Sequence, residues 1–318
     1  MNAVTGGVLS GLSDRAVFVR LSLMNRFRMF LGSCCFLLIA QSFLRADDDK
    51  PSFPAVDGFE LKLWAREPLL RNPTSVSVDD LGRVYIAETT RRGRVDIDIR
   101  RHKEWVLEDL RNQSVDDLRR FFHRRMAPSL SDENAAWLED RNGDGSHDWR
   151  DLRELAEAVR MLEDTDGDGT ADRTTLVSDR FAEEVTGVVE GVMPFEDKVY
   201  VTVFPDLWML KDLDGDGRAD EQTSLFRGFG VHAALDGHDI HGLIMGPEGK
   251  LYFSLGDNGV SLVTREGTRI HYPNQGAIFR CWPDGRDLEV FCRGLRNPQE
   301  IAFNDFGDLF TVDNDGDL

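Results

Sequence analysis

The feature of this 318-residue chain that most limits its fold is a short unit of strand, tight turn and strand that keeps returning. One copy reads Leu243-Ile244-Met245-Gly246-Pro247-Glu248-Gly249-Lys250-Leu251-Tyr252-Phe253. Two apolar runs flank a turn in which Pro fixes φ and Gly supplies positive φ. The same design occupies Pro73 to Glu88, Gly191 to Val203 and Ile301 to Val312, and Phe59 to Trp64 alternates like a further strand. Tyr200, Tyr252 and Phe310 recur about every 50 to 60 residues, the spacing of propeller blades, each a small twisted sheet that buries its faces against its neighbours. A second repeat runs from Met161 to Gly169 and again from Met209 to Gly217, an offset of 48 residues. Two independent repeats of similar period predict an all-β fold, a β-propeller.

Between Arg91 and about Glu157 the alternation stops. Ser114-Val115-Asp116-Asp117 opens like a capping box, and Leu118, Phe121 and Phe122 follow at helical spacing. Glu133 to Glu139 and Trp149 to Ala158 also read as helical. We therefore expect a helical insertion at about 91–157, between the first and second blades. What is left accommodates about four blades, fewer than the six to eight common in closed rings, so an incomplete ring is expected.

The N-terminus carries an export pattern. Arg20, Arg26 and Arg28 precede the apolar stretch Met29 to Ala40, of signal-peptide rather than membrane-spanning length. Residues 1–46 are expected to be a signal peptide, with an uncleaved N-terminal anchor and membrane association through it as the alternative. That leaves 47–318 as the folded domain, exported and periplasmic or associated with the cell envelope. Cys281 and Cys292 then remain, either paired across a hairpin or as two separate thiols. The net charge of −19 offers no broad basic face to phosphates, which excludes nucleic acid as a partner.

Much of the acidity is concentrated in Asp-Gly loops, which points to bound cations. Asp140, Asn142, Asp144, Asp148 and Asp151 fall at positions 1, 3, 5, 9 and 12 of an EF-hand-like loop, with Gly145 at the sharp turn. A second loop holds Asp164, Asp166, Asp168 and Asp172, and a third holds Asp212, Asp214, Asp216 and Asp220. Position 12 in these two is Thr (Thr175, Thr223), so no carboxylate closes them there. Converging carboxylates repel unless a cation neutralises them, and oxygen ligands select calcium. The role expected is to clamp blade turns; polar Asp-Gly turns without metal are the alternative.

His238 and His241 precede the strand at Leu243, and Asp257 follows the strand at Leu251 to Leu255. An antiparallel hairpin brings such ends together, the arrangement of a base with an orienting acid. Surface loop histidines beside a turn-forming Asp would give the same spacing.

Together with the hairpins, the segments Asp96-Ile97-Asp98-Ile99-Arg100, Arg227-Gly228-Phe229-Gly230-Val231, Gly237-His238-Asp239-Ile240-His241-Gly242 and Gly294-Leu295-Arg296-Asn297-Pro298-Gln299 carry a family likeness from about Pro54 to Leu318. The chain resembles the soluble quinoprotein glucose/sorbosone dehydrogenases and, more closely, the planctomycete-type membrane-bound dehydrogenase proteins. The resemblance implies a β-propeller with calcium and pyrroloquinoline quinone. It implies a base at the His nine positions before Pro247, which is His238, and a partner acid in the Gly-Asp that ends the next strand, Asp257. It implies cofactor contacts from Arg296, Asn297 and Gln299. Ile240-His241-Gly242 departs from the family pattern, so His241 competes for the catalytic role. The later blades that supply further cofactor contacts, and any Cys-x-x-Cys-His haem motif, do not occur in the sequence.

The chemistry so implied is oxidation of a sugar or alcohol. His238 removes the hydroxyl proton while hydride passes to the quinone, Asp257 holds the imidazole tautomer, and Arg296 stabilises charge on the quinone oxygen. A cytochrome c would accept the electrons. The alternative function is a calcium-braced propeller that binds carbohydrate or protein without catalysis.

Overall fold

A computed structural model describes residues 19–23, 59–233 and 237–314. The expected signal segment lies outside the described residues except for β1 (Val19–Leu23), which pairs antiparallel with β2 (Phe59–Leu63). No helix among the described residues is long and apolar enough to cross a membrane.

The remaining strands group into consecutive antiparallel sheets, as the repeated turns require. The first sheet is β3 (Pro73–Val78), β4 (Val84–Glu88), β5 (Glu157–Glu163) and β6 (Arg173–Phe181). The second is β7 (Val189–Phe195), β8 (Lys198–Val203), β9 (Asp206–Lys211) and β10 (Glu221–Arg227). The third joins β11 (Ile240–Met245) and β12 (Leu251–Leu255) to β15 (Gly276–Cys281) and β16 (Glu289–Leu295). A small hairpin, β13 (Val260–Val263) with β14 (Arg269–Tyr272), is inserted in it. β17 (Pro298–Phe303) and β18 (Leu309–Asp313) form a two-stranded fourth sheet. The fold is thus all-β and propeller-like. Three four-stranded sheets and a two-stranded one stand side by side, and they do not close into a ring among the described residues.

The turn chemistry explains the hairpins. Asp79 Oδ1 accepts the N–H groups of Leu81 and Arg83, and Asn304 Oδ1 accepts those of Phe306 and Asp308. Each side chain closes its own turn before any strand pairing is needed. The first strands of successive sheets pack together in the order β3, β7, β11, β17, which sets the sheets around a common axis. Apolar cores fill the gaps between sheets. Tyr85, Val159 and Phe181 of the first sheet meet Val192, Val201 and Leu210 of the second. Tyr200 and Phe226 of the second meet Leu251, Phe253 and Phe279 of the third, around Phe229. Tyr252, Ile278 and Ile301 seal the third against the fourth. Second strands lie between two such cores, which is why Val84–Glu88 and Leu251–Leu255 are buried at every position.

The helical insertion has the expected extent but differs from expectation in place. Residues 89–156 leave the first sheet after β4 and return at β5, so the insertion interrupts one blade instead of separating two. The repeated Met-Leu-x-Asp motif is the third strand of its sheet in both copies, which fixes the position. Within the insertion are α1 (Val106–Asp109), α2 (Val115–Arg125) and α3 (Ser131–Asn134). Ser114 caps α2 by accepting the Asp117 N–H, as its motif predicts. Trp149–Arg153 is a 3₁₀ turn opened by a reciprocal Asp148–Asp151 capping box, and the strand begins at Glu157. Leu118, Phe121, Phe122, Trp105 and Leu152 pack on Val185, Phe204 and Ala233 of the loops around the second sheet. The fully buried Arg91 fastens this lid, donating to the carbonyls of Thr186, Leu152 and Leu155.

The two cysteines are free thiols. The register pairs Cys292 with Ile278, so Cys281 lies farther along its strand, buried while Cys292 is exposed.

Phe253 is fully buried, stacked on Phe279 at 5.5 Å and edge-on to Phe229 at 5.2 Å. We predict that Phe253→Ala destabilises the fold by about 3–5 kcal/mol in chemical denaturation. Phe306→Ala, at a ring 90% exposed, should change stability by less than about 0.5 kcal/mol.

Candidate functional site

Antiparallel sheets sort their connections by end. The hairpin turns and the β5–β6 and β9–β10 loops fall at one end; the connections between sheets and the second-to-third-strand insertions fall at the other. His238 (before β11), Asp257 (after β12) and Arg296 (between β16 and β17) therefore share the end that carries the helical insertion.

The structure brings these three together. His238 is buried, and its Nδ1 lies 2.7 Å from Asp257 Oδ1. With Nδ1–H donated to the carboxylate, the lone pair is on Nε2, which has no partner among the described residues. Asp257 is anchored through its own N–H, which donates to the Arg296 carbonyl at 2.8 Å. Gly256 makes the approach feasible: a Cβ there would lie 2.5 Å from the His238 carbonyl oxygen. The Arg296 loop is held from β18, where Asp313 accepts the N–H groups of Arg296 and Asn297. Arg296 Nη1 donates to the Asn314 backbone carbonyl and to Oδ1 of its side chain. The other guanidinium nitrogens have no partner among the described residues. Gln299 lies beside the same centre and donates to the Gly237 carbonyl at 3.3 Å.

His241 occupies a different environment. Its Nδ1 lies 2.8 Å from Glu190 Oε2 in an ion-pair contact, and its Nε2 lies 3.3 Å from Asn297 Oδ1. Glu190 Oε2 forms the ion pair without hydrogen-bond alignment. Burial by itself lowers the imidazole pKa, but the Glu190 carboxylate outweighs it and the net shift is upward. Glu300 of β17 is a further acid whose charge acts on the ring. His241 thus has both nitrogens engaged, where His238 offers an open Nε2. Between them Asp239 is buried and accepts from Asn258 Nδ2 at 2.8 Å. Burial, then the charges of Glu190 and Asp96, raise its pKa well above the ordinary carboxylate value.

Asp239, Glu190 and Asp313 escape a reading of the sequence. The usable signal is weak: a lone acid in an apolar run, as in Val188-Val189-Glu190-Gly191-Val192, or between two histidines.

The Asp-rich loops separate into two kinds. One carboxylate oxygen from each of Asp164, Asp166 and Asp168 lies within 4.8 Å of the others, and Asp212, Asp214 and Asp216 repeat the arrangement. Both clusters lie at the end away from His238. Their expected fourth members, both exposed, bond within their own loops: Asp172 accepts from Thr165, and Asp220 accepts the Leu213 N–H. The first loop does not form such a cluster. Arg150 pairs with Asp144 and Asp148, lowering the Asp148 pKa to about 2. Asp151 accepts the N–H groups of Arg141, Asn142 and Asp148. Asp140 and Asn142 accept N–H groups of their own loop. Arg150, one residue before the end of the spacing pattern, supplies positive charge to this loop.

The donor set fits a flat, oxygen-rich anion in part: Arg296 has open N–H groups, while Asn297 Oδ1 is committed to His241. Two three-carboxylate clusters of hard oxygens suit calcium if carbonyls and water complete the shell.

Fold and site define the class: a propeller-like all-β protein with a His–Asp pair at the mouth of its first strands. The chain belongs to the family described as "Domain of unknown function (DUF7133)", which it matches over residues 47–318. No curated protein matches it. Among solved structures it is similar to the nidogen/laminin complex (17% identity, TM-score 0.34), covering 49% of this chain and 49% of that one. It is similar to the PQQ domain of pyranose dehydrogenase from Coprinopsis cinerea (11% identity, TM-score 0.39), over 77% of this chain and 44% of that one. A protein of unknown function from Bacteroides caccae is similar at 11% identity and TM-score 0.25, over 50% and 62%. The chain thus spans about half the length of the first two.

The two engaged histidines predict opposite titrations. His241 should titrate above 6.5 by NMR, and His102, buried in the insertion, below 6.5. Because the folded value of His241 is raised, its stabilisation is complete below about 6.5 and is lost as pH rises through that folded value. Glu190→Gln should bring His241 down; a His241 midpoint at or below 6.5 in the native chain contradicts the ion pair.

Proposed function

We propose that this chain is an exported quinoprotein-type dehydrogenase domain that oxidises a hydroxyl of a sugar or alcohol. The observation that carries the reading is the 2.7 Å His238–Asp257 contact, locked to the Arg296 loop through the Asp257 N–H. A base, its orienting acid and the backbone of an arginine-bearing loop, from three separate chain segments, meet there. His238 Nε2 takes the hydroxyl proton, and Asp257 keeps Nδ1 protonated and stabilises the imidazolium that results. The open N–H groups of Arg296, with Asn297 Nδ2 and Gln299, would hold pyrroloquinoline quinone. When bound, that cofactor supplies the acceptor for the hydride leaving the substrate carbon, and the product is a carbonyl. His241, with both nitrogens engaged, acts as a fixed cation in the wall and not as the base.

In this reading calcium braces the two Asp clusters, a cytochrome c takes the electrons, and the N-terminal segment directs the protein to the periplasm or cell envelope. A second reading, a calcium-braced module that binds carbohydrate or protein without catalysis, is favoured by the position of both Asp clusters away from the His–Asp pair.

Dye-linked oxidation of sugars, assayed with added pyrroloquinoline quinone and calcium, distinguishes the two. The dehydrogenase reading predicts turnover that disappears in His238→Ala and falls about 10²-fold or more in Asp257→Asn. Absence of cofactor binding by the chain in its full-length protein, with calcium still raising Tm, selects the second.

A further inference from the structure

The helical insertion contains a pocket that the His–Asp site does not use. It has a volume of about 470 Å³, within the range of small-ligand sites, and lies between the segment after β4 and α3. Its wall is aromatic. His102 stacks on Trp105 with centroids 4.0 Å apart and planes 14° apart. Trp137 stands edge-on to both, at 4.5 and 5.7 Å. Trp105 and His102 are buried, while Trp137 is 38% exposed and presents its ring to the pocket. Burial lowers the His102 pKa, so this wall is uncharged at neutral pH.

The rim is polar and partly uncommitted. Asp98 is spent on Arg100, and Asn134 donates to the His147 carbonyl. Arg94, Arg101 and Glu133 line the same pocket and make no side-chain hydrogen bond or ion pair among the described residues. An exposed indole face with planar donors and acceptors at its edge is the combination that recognises a pyranose ring. The C–H face of the sugar packs on the indole and its hydroxyls take the polar groups. Both signs of charge are present in the rim, which favours a neutral sugar over an anionic one.

The pocket adjoins the His–Asp site. Asp96, on its wall, is one of the charges that raise Asp239, the neighbour of His238 in the chain.

The geometry points to a saccharide subsite in the insertion, with Trp137 as its platform and Arg94, Arg101 and Glu133 as its hydrogen-bonding edge. It holds a neutral oligosaccharide whose end reaches toward His238. The direction of that reach rests on the dehydrogenase reading; the binding itself does not.

The test is tryptophan fluorescence of the full chain, without quinone, titrated with neutral, uronic-acid-containing and sulfated oligosaccharides from disaccharide to hexasaccharide. A saturable change with a neutral oligosaccharide is expected, weakened about tenfold or more in Trp137→Ala. Arg101→Ala and Glu133→Gln, at exposed side chains, should weaken it several-fold with unchanged circular dichroism. Saturable binding by a chain that shows no dye-linked oxidation once pyrroloquinoline quinone and calcium are added would defeat the dehydrogenase reading and leave the subsite standing. No saturable binding by any neutral oligosaccharide, or native-like binding by Trp137→Ala, overturns the subsite, as does binding confined to the charged sugars.

Discussion

The arrangement depends on how the first strands of three sheets are fastened at one end. Glu190 comes from β7, His241 from β11, and Asn297 from the start of the β17 segment. Apolar packing between sheets is non-directional and would tolerate sliding of one sheet past the next. A partly buried carboxylate held 2.8 Å from a buried imidazole does not, since separating them costs the contact in a poorly solvated interior. The contact therefore sets register between sheets. Glu157 works in the same way one interface earlier, accepting N–H groups from Thr90, Arg91 and Val189 with its two oxygens.

Fixed register lets loops carry chemistry. His238 is three residues before His241, and Arg296 immediately precedes Asn297, so fastening His241 to Asn297 also brings the loops of His238 and Arg296 together. The two histidines divide the work: His241 is engaged on both sides and holds charge in the wall, while His238 keeps one nitrogen open. The insertion then roofs the same end, with Arg91 and the packing of α2 on Phe204 and Ala233 holding it down. His232 adds a further tie, its Nδ1 at 3.0 Å from the Asp109 carbonyl and its Nε2 at 2.9 Å from Asn274. The His–Asp pair and the insertion pocket thus share one face, and the Asp clusters lie at the other.

The hairpins were legible in the sequence because their information is local. An Asp-x-Gly or Gly-Pro-x-Gly turn between alternating runs needs nothing from the rest of the chain. The His238–Asp257 pairing was legible for a related reason, since both residues flank one hairpin. Position of the insertion was not, because the β4–β5 pairing joins residues about seventy apart and no local signal marks it. The first Asp loop shows what spacing alone leaves out. Ligand spacing fixes where carboxylates can converge, but Arg150 reaches back to Asp144 and Asp148 and supplies the charge itself. Glu190 and Asp239 stayed hidden because their meaning comes from a neighbouring sheet. A lone acid in an apolar strand looks like an accident until its partner from another blade is in place.

The most direct test of the central claim is a double-mutant cycle between Glu190 and His241, with Glu190→Gln, His241→Gln and the pair compared by denaturant unfolding near pH 6. If this contact fastens the first strands of the sheets, the two substitutions are non-additive by about 1–3 kcal/mol. Losses that add to within about 0.5 kcal/mol would show that the residues act independently, and that the register of the sheets, and with it the placement of His238 against Arg296, is set elsewhere.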